Sequence, residues 1–174
     1  MSPNPVVKLG ERLAYTCIRC GKCCSSGPNV SLTVFDVCRI AKYLGAPWRE
    51  LAGKSFYVVI ADYVPVIVLR GIGGRCVFLK YVNNLPTCTV YPARPARCRL
   101  YPFIPIAPRV EDSLEVSSAC PGVGRGELAE PPWDDLKEYL SEVRKHYELL
   151  YKHIFEEGYE PLSALEKALD QACG

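Results

Sequence analysis

The sequence predicts an α+β fold, in which a small antiparallel sheet and short helices surround a cysteine-ligated metal centre and the C-terminus is helical. Three features predict it: a cysteine-rich segment at residues 17–24, Val- and Ile-rich runs from residue 56 onwards, and helical periodicity after residue 131. The chain has 174 residues, of which 49% are hydrophobic, so one domain with a buried core is expected. We expect a metal-binding domain at residues 1–126 and a helical extension at 127–174, packed on it as a single globular unit.

Two helices are predicted after the cysteine-rich segment. Thr33 is a suitable N-cap for a helix over residues 34 to about 44, with Asp36 in its first turn and Gly45 at its end. A second, shorter helix is predicted over residues 48–53.

Short strands come next, separated by turn residues. They are predicted over residues 56–61, 64–70, 76–79 and 88–91, the last of which could also be the entry to a loop. Pro65 suggests that the second of these strands lies at a sheet edge, because proline cannot donate to a neighbouring strand. Tight turns are predicted at residues 62–63, 71–74 and 83–84, and a last short strand at 113–117.

Four segments are predicted to lack regular structure. Residues 1–16 give little signal, residues 25–29 are a loop, and residues 121–131 are a connector. Residues 92–109 hold five prolines and four arginines, so we expect this segment to be irregular and to be ordered by metal ligation of Cys98.

The C-terminal part is predicted to form two helices. The first begins at Pro132 or Trp133 and ends at Gly158. Its predicted apolar seam consists of Leu136, Leu140, Val143, Tyr147, Leu150 and Ile154. Pro161 begins the second helix, whose predicted apolar side consists of Leu162, Leu165, Leu169 and Ala172. His146 and His153 lie on the first helix, where a surface or core role is favoured over ligation because no partner spacing supports a site.

Eight of the ten cysteines are candidate metal ligands. The segment Cys-Ile-Arg-Cys-Gly-Lys-Cys-Cys crowds four thiols into eight residues, a spacing that rarely meets disulfide geometry but suits a soft metal or an iron–sulfur cluster. The candidates are Cys17, Cys20, Cys23, Cys24, Cys76, Cys88, Cys98 and Cys120.

Several motifs occur in a fixed order around these cysteines. They are C-x2-C-x2-C-C, Leu-Thr-x2-Asp, Cys-x-Phe-Leu, Cys-x2-Tyr-x2-Arg-Pro-x2-Cys-x2-Tyr-Pro-Phe and Cys-Pro-Gly, between Cys17 and about Gly126. In this the chain resembles the small cysteine-cluster family described as a zinc- or iron-chelating domain. The resemblance implies eight metal-ligating cysteines and an iron–sulfur centre. One branch of that family is the flagellin lysine-N-methylase, but the C-terminal helices are not part of the signature.

By analogy with ferredoxin spacing, the eight cysteines are expected to form two ligand sets. One set consists of Cys17, Cys20, Cys23 and Cys120, and the other of Cys24, Cys76, Cys88 and Cys98. Tyr91, Arg94 and Arg97 are expected to lie behind the ligands and contact them. For Arg94 the alternative is that it only holds the Pro-rich loop together.

Cys38 and Cys173 lie outside this pattern and are not expected to be ligands. Cys38 adjoins the apolar face of its helix, which favours a buried, unreactive thiol. The chain has four Asn and one Gln against 15 Pro, a composition that leans towards a thermophile. Intracellular disulfides occur in hyperthermophiles, and these two cysteines are where we would allow one.

Charge is unevenly distributed between the two parts of the chain. Residues 1–126 hold 16 Lys and Arg against 7 Asp and Glu, giving +9, whereas residues 127–174 carry −7. The positive charge of residues 1–126 is better explained by compensation of negatively charged ligand thiolates than by nucleic-acid binding, because no stacking motif accompanies the arginines. No signal peptide or apolar span is evident, so we expect a cytoplasmic protein without a membrane partner.

The function favoured by these observations is binding of a metal centre, with [4Fe-4S] preferred over zinc, in a redox or enzyme-accessory role towards an unknown protein or redox partner. A structural zinc module that binds a partner is the first alternative. A protein-lysine methyltransferase-like activity that uses S-adenosylmethionine is the second. If the protein is an enzyme, it is an iron–sulfur oxidoreductase or related to methyltransferases. The glycine runs at residues 71–74 and 122–126 lack the βαβ context of a nucleotide loop.

Overall fold

Strand pairing begins before the cysteine-rich segment, in a part of the chain for which no strand is predicted. The computed structural model describes residues 4–25, 30–106 and 112–174, so most of the predicted loop at 25–29 lies outside the described residues. Strand β1 (Val6–Lys8) pairs with β11 (Ser113–Val116), which also pairs with β10 (Phe103–Pro105). The strand predicted near residue 113 is thereby confirmed, and the α+β class is confirmed by the mixture of helices and small antiparallel sheets.

The prediction of an irregular connector at residues 121–131 is wrong. Strand β12 (Val123–Ala129) occupies it and pairs through a bulge with β2 (Leu13–Tyr15). Strand β2 has three residues, and the three residue pairs that join it to β12 link positions more than a hundred residues apart. Local sequence therefore carries little sign of either strand.

Helix α2 (Val34–Leu44) has the predicted bounds and caps. The Thr33 side chain accepts a hydrogen bond from the backbone N–H of Asp36, and the Asp36 carboxylate accepts one from the backbone N–H of Thr33. Gly45 ends the helix with φ 65°. The shorter helices on either side are α1 (Lys22–Ser25) and α3 (Trp48–Leu51), and α3 ends earlier than predicted because Ala52 is extended.

The first two predicted strands form a hairpin, β4 (Phe56–Ala61) and β5 (Val64–Leu69), around the predicted turn at Asp62 and Tyr63. The edge position suggested by Pro65 is wrong for the strand as a whole, because β5 lies between β4 and β3 (Ser31–Leu32). Strand β3 reaches only Ile67 and Val68, so the proline is paired on one side alone.

The strand predicted at residues 76–79 is wrong, because Val77 and Phe78 form a turn that divides it. On one side lies the hairpin of β6 (Gly71–Ile72) and β7 (Arg75–Cys76). On the other lies the hairpin of β8 (Leu79–Val82) and β9 (Leu85–Cys88), whose turn at Asn83 and Asn84 is confirmed by positive φ at both residues. Cys88 thus ends a strand and enters a loop.

Residues 92–106 are more regular than predicted. A single 3-10 turn, Tyr91–Ala93, is followed by helix α4 (Ala96–Leu100). Pro92 lies in the first turn of the 3-10 segment, and Pro95 is the N-cap of α4. The N–H of Ala96 donates to the buried carboxylate of Asp36 over 2.9 Å. A tertiary hydrogen bond therefore orders part of the segment for which metal ligation alone had been expected.

The C-terminal helices are α5 (Trp133–Tyr151), which continues into one π-helical turn, Lys152–Glu156, and α6 (Pro161–Cys173). Most of the predicted α5 seam is buried, but Tyr147 is 48% exposed and His146 takes the buried place. In α6, Leu165 and Leu169 are buried, whereas Leu162 is 55% exposed. No helix in the described parts of the chain combines the length and apolar character needed to cross a membrane.

Apolar packing is divided between two clusters. The larger contains α2, the β3-β5-β4 sheet and α6. The smaller contains α4, β10, β11 and the start of α5. A disulfide joins Cys38 of α2 to Cys173 of α6. The prediction of a free buried thiol at Cys38 is therefore wrong, whereas the disulfide allowed between these two cysteines is confirmed.

Candidate metal centre

The candidate site is a cavity of about 700 Å³ that all eight predicted ligands line. Each of these cysteines is a free thiol. Several short elements present them: the segment before α1, α1 itself, β7, the end of β9, α4 and the loop between β11 and β12. Residues separated by more than a hundred positions thus share one cavity, although their ligation of a metal stays a prediction.

Two glycines allow the chain to approach itself closely around the cavity. Gly21 has φ 68°, and a Cβ at this position would lie 2.5 Å from the Cβ of Pro86. Its carbonyl accepts hydrogen bonds from the N–H groups of Cys24 and Ser25, which turns the chain into α1. At Gly122 a Cβ would collide with the carbonyl oxygen of Thr16. This contact holds the Cys120 loop against the strand that leads to Cys17.

The thiols differ in their exposure to solvent. Cys17, Cys20 and Cys23 are exposed, whereas Cys76 is buried. Four are partly buried: Cys24, Cys88, Cys98 and Cys120. The cavity therefore has an open side at the cysteine-rich segment and a closed side at β7.

Burial sets the protonation of the thiols on the closed side. It raises the pKa of Cys98 to about 12, with a smaller contribution from neighbouring thiols, and it also raises the pKa of Cys76 and of Cys88. The Sγ atoms of Cys23 and Cys24 lie 3.7 Å apart. A hydrogen bond from Cys24 lowers the pKa of Cys23, and the same bond raises the pKa of Cys24. A cation in the cavity would reverse the effect of burial, because it favours the thiolate forms.

Two tyrosines that the sequence analysis missed lie among the thiols. Burial raises the pKa of Tyr15, and the charges of Cys17 and Cys120 add to the effect. The pKa of Tyr101 is also raised, first by burial and to a lesser degree by the charge of Cys120. Tyr101 could have been found, since it lies in the Cys-x2-Tyr-Pro-Phe motif. Tyr15 has no such sequence signal, because only the β2–β12 pairing brings it to the site.

Tyr91, Arg94 and Arg97 all line the cavity, as do Arg19 and Arg99, which were not predicted. The Arg94 guanidinium carbon lies 4.1 Å from the centroid of the exposed Tyr91 ring. The charge of Arg94 acts to lower the pKa of both Cys23 and Cys88, so this side chain lies near thiols of both predicted sets. Contact of these three residues with a bound metal centre remains a prediction.

Both histidines are buried and lie outside the cavity lining, which confirms the core role. His146 Nδ1 accepts a hydrogen bond from the N–H of Val34, and His153 Nδ1 shares one with Glu157. In the described ranges no three Cys, His, Asp or Glu side chains are grouped closely enough to hold a single metal ion. The donor set nevertheless fits thiolate-bound centres, because eight free thiols face one cavity.

A comparison with known families places the chain. The model of the CxxCxxCC family, described as "Putative zinc- or iron-chelating domain", matches residues 16–121. The chain belongs to the CxxCxxCC family. As a family member it shares the cysteine cluster and the capacity to bind metal that the description names. The match covers all eight cavity cysteines and ends before α5.

A relative is the uncharacterized protein MJ0661 of Methanocaldococcus jannaschii, to which the chain is 37% identical over 91 residues. The aligned part covers 52% of this chain and 46% of the relative, so the chain matches about half the length of that protein. No solved structure matches the chain significantly.

Proposed function

We propose that the cavity holds [4Fe–4S] centres, bound by two sets of four thiolates, and that the protein has a redox or enzyme-accessory role. The observation that carries this proposal is the position of all eight free cysteines around one cavity of about 700 Å³. That space is larger than the shell of four thiolates around one zinc ion requires, since zinc–sulfur bonds are only about 2.3 Å long.

The neighbours of each thiol support the two ligand sets. Electrostatic effects on Cys24 come from Cys23, Cys76 and Cys98, and those on Cys98 come from Cys76, Asp36, Cys23 and Cys88. After burial, the charges that act on Tyr15 and Tyr101 are all from cysteines of the other set, Cys17, Cys20, Cys23 and Cys120. Cys23 acts on these tyrosines and on all four thiols of the second set, which would place it where the two sets meet.

The surroundings of the thiols are suited to anionic sulfur. Backbone N–H groups of Phe78 and Leu79 point at Cys76, and that of Val90 points at Cys88; each lowers the pKa of its thiol. Phe78 and Val90 are buried and exclude water from this side. An iron–sulfur centre bound here would supply one-electron chemistry, and such backbone donors tune its potential.

The proposal places the protein in the cytoplasm of a thermophile. Eight free thiols require a reducing compartment, and a disulfide such as Cys38–Cys173 persists inside the cells of hyperthermophiles. A melting temperature above about 90 °C for the metal-loaded protein would support this assignment.

Zinc is the second candidate, favoured by one distance. The Cys23 and Cys24 sulfurs are 3.7 Å apart, close to the separation of about 3.8 Å expected for two thiolates on one tetrahedral zinc ion. The protein would then be a structural module.

Anaerobic purification followed by iron, zinc and acid-labile sulfide analysis distinguishes the two candidates. We expect iron and sulfide in equal amounts, about eight of each per chain, and an electron paramagnetic resonance signal after reduction. Cys98→Ser should lower this content, whereas Cys38→Ser, which changes the disulfide, is the matched control and should not. Zinc without sulfide in protein purified under these conditions would contradict the iron–sulfur proposal.

A further inference from the structure

Three arginines without a carboxylate partner line the cavity. The arginine rim, defined here as Arg19, Arg94 and Arg97, lines the same cavity as the solvent-exposed Cys17 and Cys20. Within the described part of the chain, none of the three guanidinium groups forms an ion pair with a carboxylate. The rim therefore presents cations at the cavity that holds the exposed thiols.

Arg19 has a backbone conformation that is costly for its residue type. Its φ is 52°, in the left-handed region, where a residue with a Cβ pays roughly 1 kcal/mol relative to glycine. The side chain is exposed and makes no described ion pair that would repay this cost. Strain of this kind is found at functional positions, and here it presents a guanidinium group without a described carboxylate partner between Cys17 and Cys20.

The excess of positive charge persists after the cavity is filled. Eight thiolates with two [4Fe–4S]²⁺ cores carry about −4, which leaves residues 1–126 at about +5. Residues 127–174 remain at −7. An acidic partner would consequently be attracted to the cysteine-bearing part and repelled from the helical extension.

We propose that the arginine rim is the docking surface for an acidic one-electron carrier protein, whose redox group then lies over Cys17, Cys20 and Cys23. This inference rests on the proposed iron–sulfur function. One electron passes from the reduced carrier to the oxidised centre; no proton moves and no bond changes. A protein partner is favoured over nucleic acid because Arg94 covers a face of the Tyr91 ring that would otherwise stack on a base.

The test uses the metal-loaded full chain and a flavodoxin as the acidic probe, with dissociation constants measured by calorimetry at low and high ionic strength. Arg19→Gln should weaken binding about 3- to 10-fold at low salt, and Arg19→Lys, which keeps the charge, should largely restore it. Arg125→Gln is the matched control, because Arg125 is exposed and does not line the cavity. It should change the constant less than twofold.

Equal binding by Arg19→Gln and Arg125→Gln would overturn the docking proposal, as would tighter binding of a single-stranded oligonucleotide than of flavodoxin. Metal and sulfide content is measured for every variant, so failure of the iron–sulfur proposal is seen separately. If the wild-type protein contains zinc and no sulfide, the proposed function fails. The effect of Arg19→Gln on flavodoxin binding is then measured with the zinc-containing protein, and this result tests the docking proposal independently of the iron–sulfur proposal.

Discussion

The helical core and the cavity wall use cysteine in opposite ways. In the core, α2 and α6 pack around fully buried residues such as Val34, Ile67 and Leu169, and one disulfide spans 135 positions between them. The cavity wall consists of hairpins and helices of two to five residues, and its cysteines are free. Where apolar burial already holds the chain, cysteine adds a covalent link. Where elements are too short to support themselves, thiols are available to a metal.

Removal of the metal is expected to have the largest effect, because it should destabilise the cavity wall and leave the helical core folded. Ligation of structural zinc contributes about 10–16 kcal/mol in small domains, and a metal here should likewise order the cavity wall. Treatment with a chelator under reducing conditions should allow proteolysis between residues 79 and 120 before cleavage in α5 or α6. Cleavage sites are identified by mass spectrometry, with reductant alone as the control. Equal protection with and without metal would contradict the coupling of metal and fold.

Asp36 joins the two regions, and Asp36→Ala should damage both. Its carboxylate is 0% exposed, pairs with Arg39, caps α2 and accepts the N–H of Ala96 at the start of α4. Truncation leaves these donors unpaired and should cost about 3–5 kcal/mol of unfolding free energy.

The matched control for this truncation is Asp170→Ala, which removes a half-exposed ion pair with Arg49 and a hydrogen bond from Trp48 Nε1, and should lower the unfolding free energy much less than Asp36→Ala does. Chemical denaturation measures both variants. Metal retention should also fall for Asp36→Ala, because α4 carries Cys98. Unchanged metal retention would show that α4 does not depend on Asp36.

Opening the disulfide should weaken the core and leave the cavity unaffected. The double variant Cys38→Ser and Cys173→Ser loses a cross-link over a long loop, so its unfolding free energy should fall by about 2–5 kcal/mol. Its metal content should equal that of the wild type, as measured by elemental analysis. A loss of one metal equivalent would mean that one of these cysteines serves the site.

Low pH should reduce the free energy of unfolding, because His146 binds a proton more readily in the unfolded chain. Burial lowers the pKa of His146 from 6.5 to about 4, while the nearby Asp36 charge opposes the shift. The unfolded chain therefore takes up a proton at a higher pH than the folded protein does. The stabilisation is complete above pH 6.5 and is lost as the pH falls towards 4, by about 3 kcal/mol in all.

His146→Gln can still accept the hydrogen bond from Val34 but does not titrate. Its unfolding free energy should vary less between pH 6.5 and pH 4 than that of the wild type, in denaturation experiments on metal-free protein. Parallel pH profiles for the two proteins would contradict the role assigned to His146.

The smallest effect on stability is expected for Arg94→Lys in the cavity wall. Lysine keeps the charge but loses the planar group that lies over Tyr91. We expect the variant to bind metal with an altered reduction potential or faster metal loss, and the unfolding free energy to change by less than about 1 kcal/mol. Potentiometry and metal-release kinetics measure these quantities. If potential, retention and melting temperature are all unchanged, Arg94 neither tunes the centre nor anchors the loop.

Local signals determined the features that depend on neighbouring residues. The bounds of α2 follow from Thr33, Asp36 and Gly45, and the turn at residues 83–84 follows from two asparagines, which tolerate positive φ. The turn at residues 62–63 follows from its place between two runs rich in Val and Ile. The close spacing at residues 17–24 identified four of the cysteines that line the cavity, and the motifs around Cys76, Cys88, Cys98 and Cys120 identified the other four. The contacts that determine the helix and the turns lie within a few positions in the sequence. For the cysteines, the chemistry of the thiol restricts the possible roles.

Tertiary structure alone decided the features that depend on distant partners. The pairing of β2 with β12 brings Tyr15 to the cavity and turns a predicted connector into a strand. The Asp36 carboxylate, predicted only to lie in the first turn of α2, also accepts a hydrogen bond from the start of α4 in a segment expected to be irregular. Short strands and single hydrogen bonds gain their stability from partners brought close by the rest of the fold, and local periodicity carries no record of those partners.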